Sequence, residues 1–392
     1  MDITLLATAD WDHPFWTNKQ HVAVSLADFG HRVLYIDSLG LRPPTLASGD
    51  RGRVWRRLRR CLAGPRQVRD GLWVVSPLQL PLRAGGWVDR CNRCLLEVSL
   101  RLARWSLGWQ RDLLWTYNPR TANLLGLSAY TRTLYHCVDA IDAQPGMDGP
   151  RLRRDEQRLC EQVDLVVTTT SFLQQRCALR AKRCVQLPNA VDIEHFQQAL
   201  DPQVQLPADL ACIPEPRLLF VGAIAAYKLN LSLLAELARA CPQWSIVLIG
   251  GVGEGDPSTT LSAIADCPNI YLLGPRAYGA LPAYLRGAAV GLIPALLNDY
   301  TRAMFPMKFF EYLAAGLPVV ATPLPALDPY AELVQREGDA AGFAQAIARV
   351  LQRDPAAAVQ VRSLLEGVSY RARTRQMLQL LERVAVDAAP LL

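Results

Sequence analysis

The first 37 residues limit the fold more than any other feature of the chain. Residues 3–9 are an apolar run that reads as a strand, followed by the aromatic loop DWDHPFW. Thr17 stands where a helix N-cap belongs, and Gln20, three residues on, completes a capping-box spacing. Val22, Ala23, Leu26 and Ala27 share one helical face, and Gly30 stops the helix. Residues 31–37, HRVLYID, read as a second strand. Strand, helix and strand in so short a span make a βαβ unit, which implies a right-handed crossover and a parallel sheet. Ligands of such sheets sit beyond the carboxyl ends of the strands, which places residues 10–19 at a candidate site.

The same pattern continues along the chain. Residues 113–117, 133–139 and 164–170 read as strands, with Asp139 just past a strand end and Ser171 set to cap a helix. Residues 185–192 close a first lobe, and 199–216, with Pro202, Pro207, Pro214 and Pro216, read as a linker. A second α/β lobe starts at Arg217, with strands at 218–221, 245–249, 270–273, 290–293 and 319–321. Helices are expected near 229–241, 258–266, 279–287, 307–315 and 339–353. The expected division is therefore 1–198, a linker at 199–216, a second domain at 217–360, and a C-terminal helix at 361–392 reaching back to the first lobe. With 392 residues and 51% hydrophobic content, the chain can bury two cores.

Charge is unevenly spread. The net charge is +6, but residues 1–200 carry a net +8 and the remainder −2. Residues 51–69 hold eight arginines and no acid, interleaved with Val54, Trp55, Leu58 and Leu62. A second basic-apolar stretch, 83–111, contains Trp87, Trp105 and Trp109. This pattern fits either a solvated face or peripheral contact with an anionic membrane. No nucleic-acid module accompanies it, so no nucleic-acid partner is expected. The 10 cysteines are scattered, and only Cys91 and Cys94 make a CxxC, which points to reduced, packed thiols in a cytoplasmic protein. The first residues lack a basic stretch before an apolar core, and no window reads as a membrane span.

The second lobe holds the chemistry-bearing stretch, residues 298–325, NDYTRAMFPMKFFEYLAAGLPVVATPLP. Phe305-Pro306 opens a helix, Gly316 and Pro318 end it, and a buried strand follows. Lys308 and Glu311 share one helical face. A cation in a first helical turn opposes the helix dipole, so it reads either as a surface ion pair or as part of an anion site at the free N–H groups. Lys228, in the loop after the lobe's first strand, and Arg276, after its third, fall on the same sheet edge. Three cations there fit a diphosphate. Gly222 and Gly250 sit in the first two of these loops and allow close backbone approach, although GGVGEGD around Gly250 fails the dinucleotide pattern GxGxxG. Asp10-Trp11-Asp12 offers two carboxylates, but one DxD in a loop does not establish a metal site, and no metal is assigned.

The segments VGAIAAYK, WSIVLIG, NIYLLGPRAYGALPAYL and IPALLNDYTRAMFPMKFFEYLAAGLPVVAT resemble the C-terminal domain of GT-B glycosyltransferases, in the group called glycosyl transferases group 1 or family 4. WDHPFWTNKQHVAVSLADFGHRVLYID and YHCVDAIDAQPG resemble a polysaccharide-synthesis branch more loosely. The resemblance implies two Rossmann-like lobes facing across a cleft and a nucleotide-sugar, UDP- or GDP-linked, as donor substrate with no other cofactor. It also implies transfer with retention and without metal. By position, Lys228 and Lys308 would hold the diphosphate, Glu311 would accept from the ribose, and Asp139 would sit near the sugar. Residues 17–21 would lie near the diphosphate or acceptor. Gly222, Gly250, Arg276, Tyr278, Asn298 and Thr301 complete the expected donor side. One departure stands out: the family's first glutamate, eight positions before the one matching Glu311, is Ala303 here, and Asn298, Asp299 or Thr301 are the substitutes on offer.

The resulting expectation is a retaining, metal-independent hexosyltransferase-type enzyme. It would serve surface polysaccharide synthesis with a lipid-linked glycan acceptor, at the inner face of the cell membrane. Two rivals stay open. One is a catalytically silent GT-B subunit, suggested by Ala303, and the other a GT-B sugar-nucleotide epimerase.

Overall fold

The computed structural model describes residues 1–13, 15–40, 61, 64–80, 86–253, 256–352 and 359–387. The chain forms two compact units. One comprises Met1–Asp142, Gly146–Leu187 and Arg373–Leu392, and the other Ala143–Pro145 and Pro188–Ala372.

The first unit is built on β1 (Asp2–Leu6), β2 (Arg32–Ile36), β3 (Arg66–Arg69), β4 (Leu72–Val75), β5 (Leu113–Thr116), β6 (Thr133–Cys137), β7 (Leu165–Thr168) and β8 (Cys184–Gln186). They lie in the order β3-β4-β2-β1-β5-β6-β7-β8. β3 runs antiparallel to β4, and the β1–β2 and β1–β5 ladders are parallel. The opening βαβ unit is present, with α1 (Asn18–Asp28) between β1 and β2. β1 is shorter than its apolar run, ending at Leu6. On the sheet lies α2 (Gly86–Ser106), whose Leu96, Leu100 and Ala103 join Leu6, Leu34 and Leu114 in one core.

The second unit contains β9 (Arg217–Val221), β10 (Ser245–Ile249), β11 (Ile270–Gly274), β12 (Val290–Ile293), β13 (Val319–Ala321) and β14 (Val334–Arg336). Their order is β11-β10-β9-β12-β13-β14, with every ladder parallel. A parallel sheet is covered on both faces, and its central strands β9, β10 and β12 are apolar and buried along most of their length, whereas the edge strand β11 is partly exposed. In β10, Ile246 and Leu248 pack on one core with α3 (Leu231–Ala240) and α5 (Ala340–Leu351). Val247 and Ile249 pack on the other, with Phe309 and Phe310 of α4 (Met307–Ala314). The strand order reverses direction between β9 and β12, and that switch point is where doubly wound sheets open a ligand crevice.

One expected helix is largely absent. Residues 258–266 hold only a 3₁₀ turn, Ser262–Ile264. The Asp256 carboxylate takes the Ser258 N–H at 3.2 Å and its hydroxyl at 2.5 Å, and Thr259 N–H bonds the Asp256 carbonyl at 3.1 Å. The last helix, α6 (Tyr370–Asp387), leaves the second unit, and from Arg373 onward it belongs to the first.

Candidate active site

The loops after β9 and β12 meet at the switch point of the second unit. Asn298 caps the short Asp299–Arg302 helix, its side-chain oxygen accepting from Tyr300 N–H and Thr301 N–H at 3.0 Å. Its amide nitrogen donates to the Tyr227 carbonyl at 2.6 Å, across to the other loop. Leu296 N–H bonds the Lys228 carbonyl at 2.9 Å, and the Tyr227 and Tyr300 rings meet edge-on at 5.1 Å. Thr301 is fully buried, and its hydroxyl serves this loop by bonding the Leu296 carbonyl. Asn298 and Thr301 therefore build the site's wall. Ala303, where the family's first glutamate would stand, is buried at the end of the same helix.

After this wall comes α4, anchored to the sheet. The Tyr312 ring fills the space that a side chain at Gly291 would need, and its hydroxyl accepts from Val221 N–H at 2.9 Å. Asn189 fixes the entry by donating to the Phe305 carbonyl at 2.8 Å. The helix starts at Pro306 without a side-chain cap. Lys308 is the second helical residue, and its ammonium lies 2.7 Å from Glu311. This is no surface pair, because the Glu311 side chain is only 6% exposed against 27% for Lys308. A buried carboxylate held by one half-exposed ammonium is costly to isolate, so any ligand that draws Lys308 away must give Glu311 another donor. Tyr278 stands close by: burial, followed by the negative field of Glu311, raises its hydroxyl far above the usual tyrosine range. The Tyr278 ring stacks on His195 at 4.2 Å.

Lys228 is half-buried beside this wall, its ammonium 5.6 Å from the centre of the Tyr227 ring. Arg276 lies elsewhere: it follows β11, the edge strand, two places from β9. Its guanidinium bonds Asp209 at 2.5 Å and the Tyr284 hydroxyl at 2.7 Å, and the Arg276 bond holds the Asp209 carboxyl below the usual carboxylate range. Gly222 and Gly250 meet each other. A methyl group on Gly250 would sit 1.8 Å from the Gly222 carbonyl oxygen, and the φ values of 153° and 157° suit glycine alone. Both glycines thus let two ligand-side loops touch.

In the first unit, Lys19 of α1 lies near residues at the ends of β5 and β6. Lys19 is buried, which lowers its pKa, while Asp139 pulls the other way. Its ammonium lies 5.6 Å from the Tyr117 ring centre, and that ring faces His136 at 4.9 Å. Burial, then the Lys19 charge, pushes His136 down to about 3. His136 is therefore a neutral imidazole at ordinary pH and a poor proton acceptor. Lys19 has one sequence signal: like Lys308, it is a cation in a first helical turn. The two DxD carboxylates point to other partners, Asp12 to Arg66 at 3.0 Å and Asp10 to Ser38 N–H at 3.1 Å.

The first unit also holds a thiol cluster that no sequence motif announces. Ligand atoms of Cys137, Glu156 and Cys177 lie within 4.8 Å of one another. Glu156 is already held by Arg176 at 2.8 Å and the Tyr135 hydroxyl at 2.8 Å. The bond to Cys177 and burial push the Cys137 thiol well up, so the cluster is a set of neutral thiols around an ion pair.

Residues 215–353, which span β9 to α5, match the family described as glycosyl transferases group 1. The second unit carries a glycosyl transferases group 1 domain. A protein of Bacillus subtilis (strain 168) named "Putative teichuronic acid biosynthesis glycosyltransferase TuaH" is 26% identical over 261 residues, 62% of this chain. The match spans 64% of that relative's length. Among solved structures, sucrose-phosphate synthase from Thermosynechococcus elongatus superposes with a TM-score of 0.71 at 17% identity, covering 99% of this chain and all of the other. Anabaena Alr3699/HepE, solved with UDP and glucose, gives 0.66 at 15% identity over 99% of each chain. Two parallel-sheet domains with these likenesses make the fold GT-B. The group 1 domain contains Lys228, Lys308 and Glu311 and excludes Lys19, His136 and Asp139.

Proposed function

We propose that this chain is a glycosyltransferase that moves a hexosyl group from a UDP- or GDP-linked donor to a lipid-linked glycan in surface polysaccharide synthesis. The observation that carries this reading is Lys308, second residue of an uncapped helix at the switch-point side of a group 1 domain, paired to buried Glu311. A diphosphate offers Lys308 a better partner than one carboxylate, and the helix N–H groups add to its binding. Lys228 supplies the second cation. As Lys308 turns to phosphate, Glu311 accepts from a ribose hydroxyl, which keeps its buried charge satisfied. Stabilisation of the departing nucleoside diphosphate is the catalytic contribution, where one such group is worth about 3 kcal/mol.

The transfer proceeds with retention and without metal in this reading, the leaving phosphate taking the acceptor's proton. That fits the absence of a competent imidazole at His136. Asp139 is the proposed sugar-side acid. The name of the teichuronic acid relative supports the polysaccharide context, and the UDP complex of HepE supports a nucleotide donor.

The test is an acceptor-dependent assay of nucleoside diphosphate release with UDP- and GDP-sugars, in EDTA, with the product anomer read by NMR. Release in EDTA with the donor's configuration kept supports the proposal. Inversion, or activity lost in EDTA and restored by Mn²⁺, refutes the corresponding part. Nucleotide binding with no turnover on any acceptor favours the silent subunit suggested by buried Ala303.

A further inference from the structure

Helix α2 carries two apolar stripes on opposite sides. One, with Val88, Leu96, Leu100 and Ala103, is buried against the sheet. The other runs through Trp87, Cys94, Val98, Leu102 and Trp105, at spacings of three, four or seven residues. Trp87 is 62% exposed, Val98 52%, Leu102 60% and Trp105 80%, and Cys94 is exposed as well. A single exposed apolar residue is ordinary, but a continuous stripe about 27 Å long marks a surface awaiting a partner.

The borders of the stripe say which partner. Arg90 and Arg101 flank it, both exposed, and among the described residues neither is paired with an acid. The helix's two acids are neutralised: Glu97 by Arg93 at 3.0 Å, and Asp89 by Arg120 at 2.8 Å. What remains is an apolar ridge with a tryptophan at each end and unpaired cations along its edge. Indole rings favour the boundary between headgroups and acyl chains, and arginines favour anionic headgroups. No helix among the described residues is long and apolar enough to cross a membrane.

We propose that α2 lies in the plane of an anionic phospholipid surface, with the Trp87–Trp105 stripe sunk to the acyl boundary and Arg90 and Arg101 on lipid phosphates. The contact needs neither donor nor acceptor, so its loss and a loss of sugar transfer are separate observations. The other arginine-rich segment, with Arg56, Arg57, Arg59 and Arg60, lies outside the described residues.

The full chain is tested by flotation with phosphatidylcholine vesicles, with and without phosphatidylglycerol. The wild type should float with the anionic vesicles and lose most binding at high salt. Trp105→Ser with Leu102→Ser should weaken binding at least about tenfold, and Arg90→Gln with Arg101→Gln by roughly thirtyfold. All four side chains are exposed, and an unchanged melting temperature confirms that the variants fold. As a second readout, brominated lipid should quench tryptophan emission less in Trp105→Phe than in the wild type. The proposal is overturned if the wild type ignores anionic vesicles, or if both double variants bind like the wild type. It is equally overturned if gel filtration shows a dimer that Trp105→Ser dissolves while no vesicle binding occurs, which would make the stripe a self-interface.

Discussion

Each unit places a lysine at the second position of a helix that leaves a parallel sheet, and the two lysines are treated in opposite ways. Lys308 sits on a helix that starts without a side-chain cap, is half-exposed, and holds Glu311 at 2.7 Å. Lys19 sits on a helix whose start is closed by the Thr17–Gln20 capping box, is buried, and rests over the Tyr117 ring. The difference is one of availability. An uncapped helix start with a half-exposed ammonium can exchange its internal partner for an incoming anion. A capped start with a buried ammonium keeps its charge for the interior, where burial already lowers the lysine's pKa. Position in a helix suggests an anion site, but capping and burial decide whether one exists.

The largest effect expected from this contrast is catalytic. Lys308→Gln should lower transfer by roughly a hundredfold, about 3 kcal/mol of transition-state stabilisation, with the melting temperature unchanged. An unchanged rate would remove Lys308 from the site.

The next effect belongs to the interior of the first unit and appears on acidification. His136 is pushed from 6.5 to about 3 in the folded chain. Between those values the unfolded chain binds the extra proton, so stability falls as pH drops through that window. The loss should reach roughly 3 kcal/mol by pH 4 in denaturant titrations. His136→Asn should flatten that slope, and Lys19→Met should reduce it by removing the cation that adds to the shift. A slope identical in all three proteins would contradict the buried, neutral imidazole.

Smaller effects test the scaffolds. Asn298→Ala removes a cap and a loop-to-loop bond, and should cost about 1–2 kcal/mol of stability, measured by denaturant melts. Gln20→Ala removes the acceptor for Thr17 N–H at 3.1 Å and the donor to the Asp10 carbonyl at 3.1 Å, and should cost about 1 kcal/mol. No loss on Gln20→Ala would contradict the closed start of α1, and none on Asn298→Ala would contradict the loop-to-loop bond.

What was legible in the sequence follows from how local each cause is. Pro306, Gly316 and Pro318 bracket α4 and β13 by their own backbone restrictions, and the apolar period within them sets the buried face. The opening βαβ unit was legible for the same reason. The partner of Arg276 was not: Asp209 stands 67 residues away, and no local pattern announces it. Thr301 likewise reads as a polar side chain beside a ligand until its hydroxyl is seen bonding the Leu296 carbonyl. Gly250 reads as a ligand turn, yet the carbonyl of Gly222 is what excludes a side chain there. The helix expected at 258–266 is reduced to the 3₁₀ turn Ser262–Ile264, and Thr259 accepts from Ala226 N–H at 3.0 Å, a contact 33 residues away that no local pattern announces. That the Asp139 charge reaches Lys19 depends on the strand order β1-β5-β6, which is not a local property of the sequence.

We propose that the helix start bearing Lys308 holds the diphosphate of the donor, while the one bearing Lys19 does not. Calorimetric titration of UDP and GDP into the wild type, Lys308→Gln and Lys19→Gln addresses it directly. The prediction is that one nucleotide binds, that Lys308→Gln weakens it at least about tenfold as a charge-assisted contact is lost, and that Lys19→Gln stays near the wild type. Equal binding by wild type and Lys308→Gln, or a loss confined to Lys19→Gln, would contradict the account.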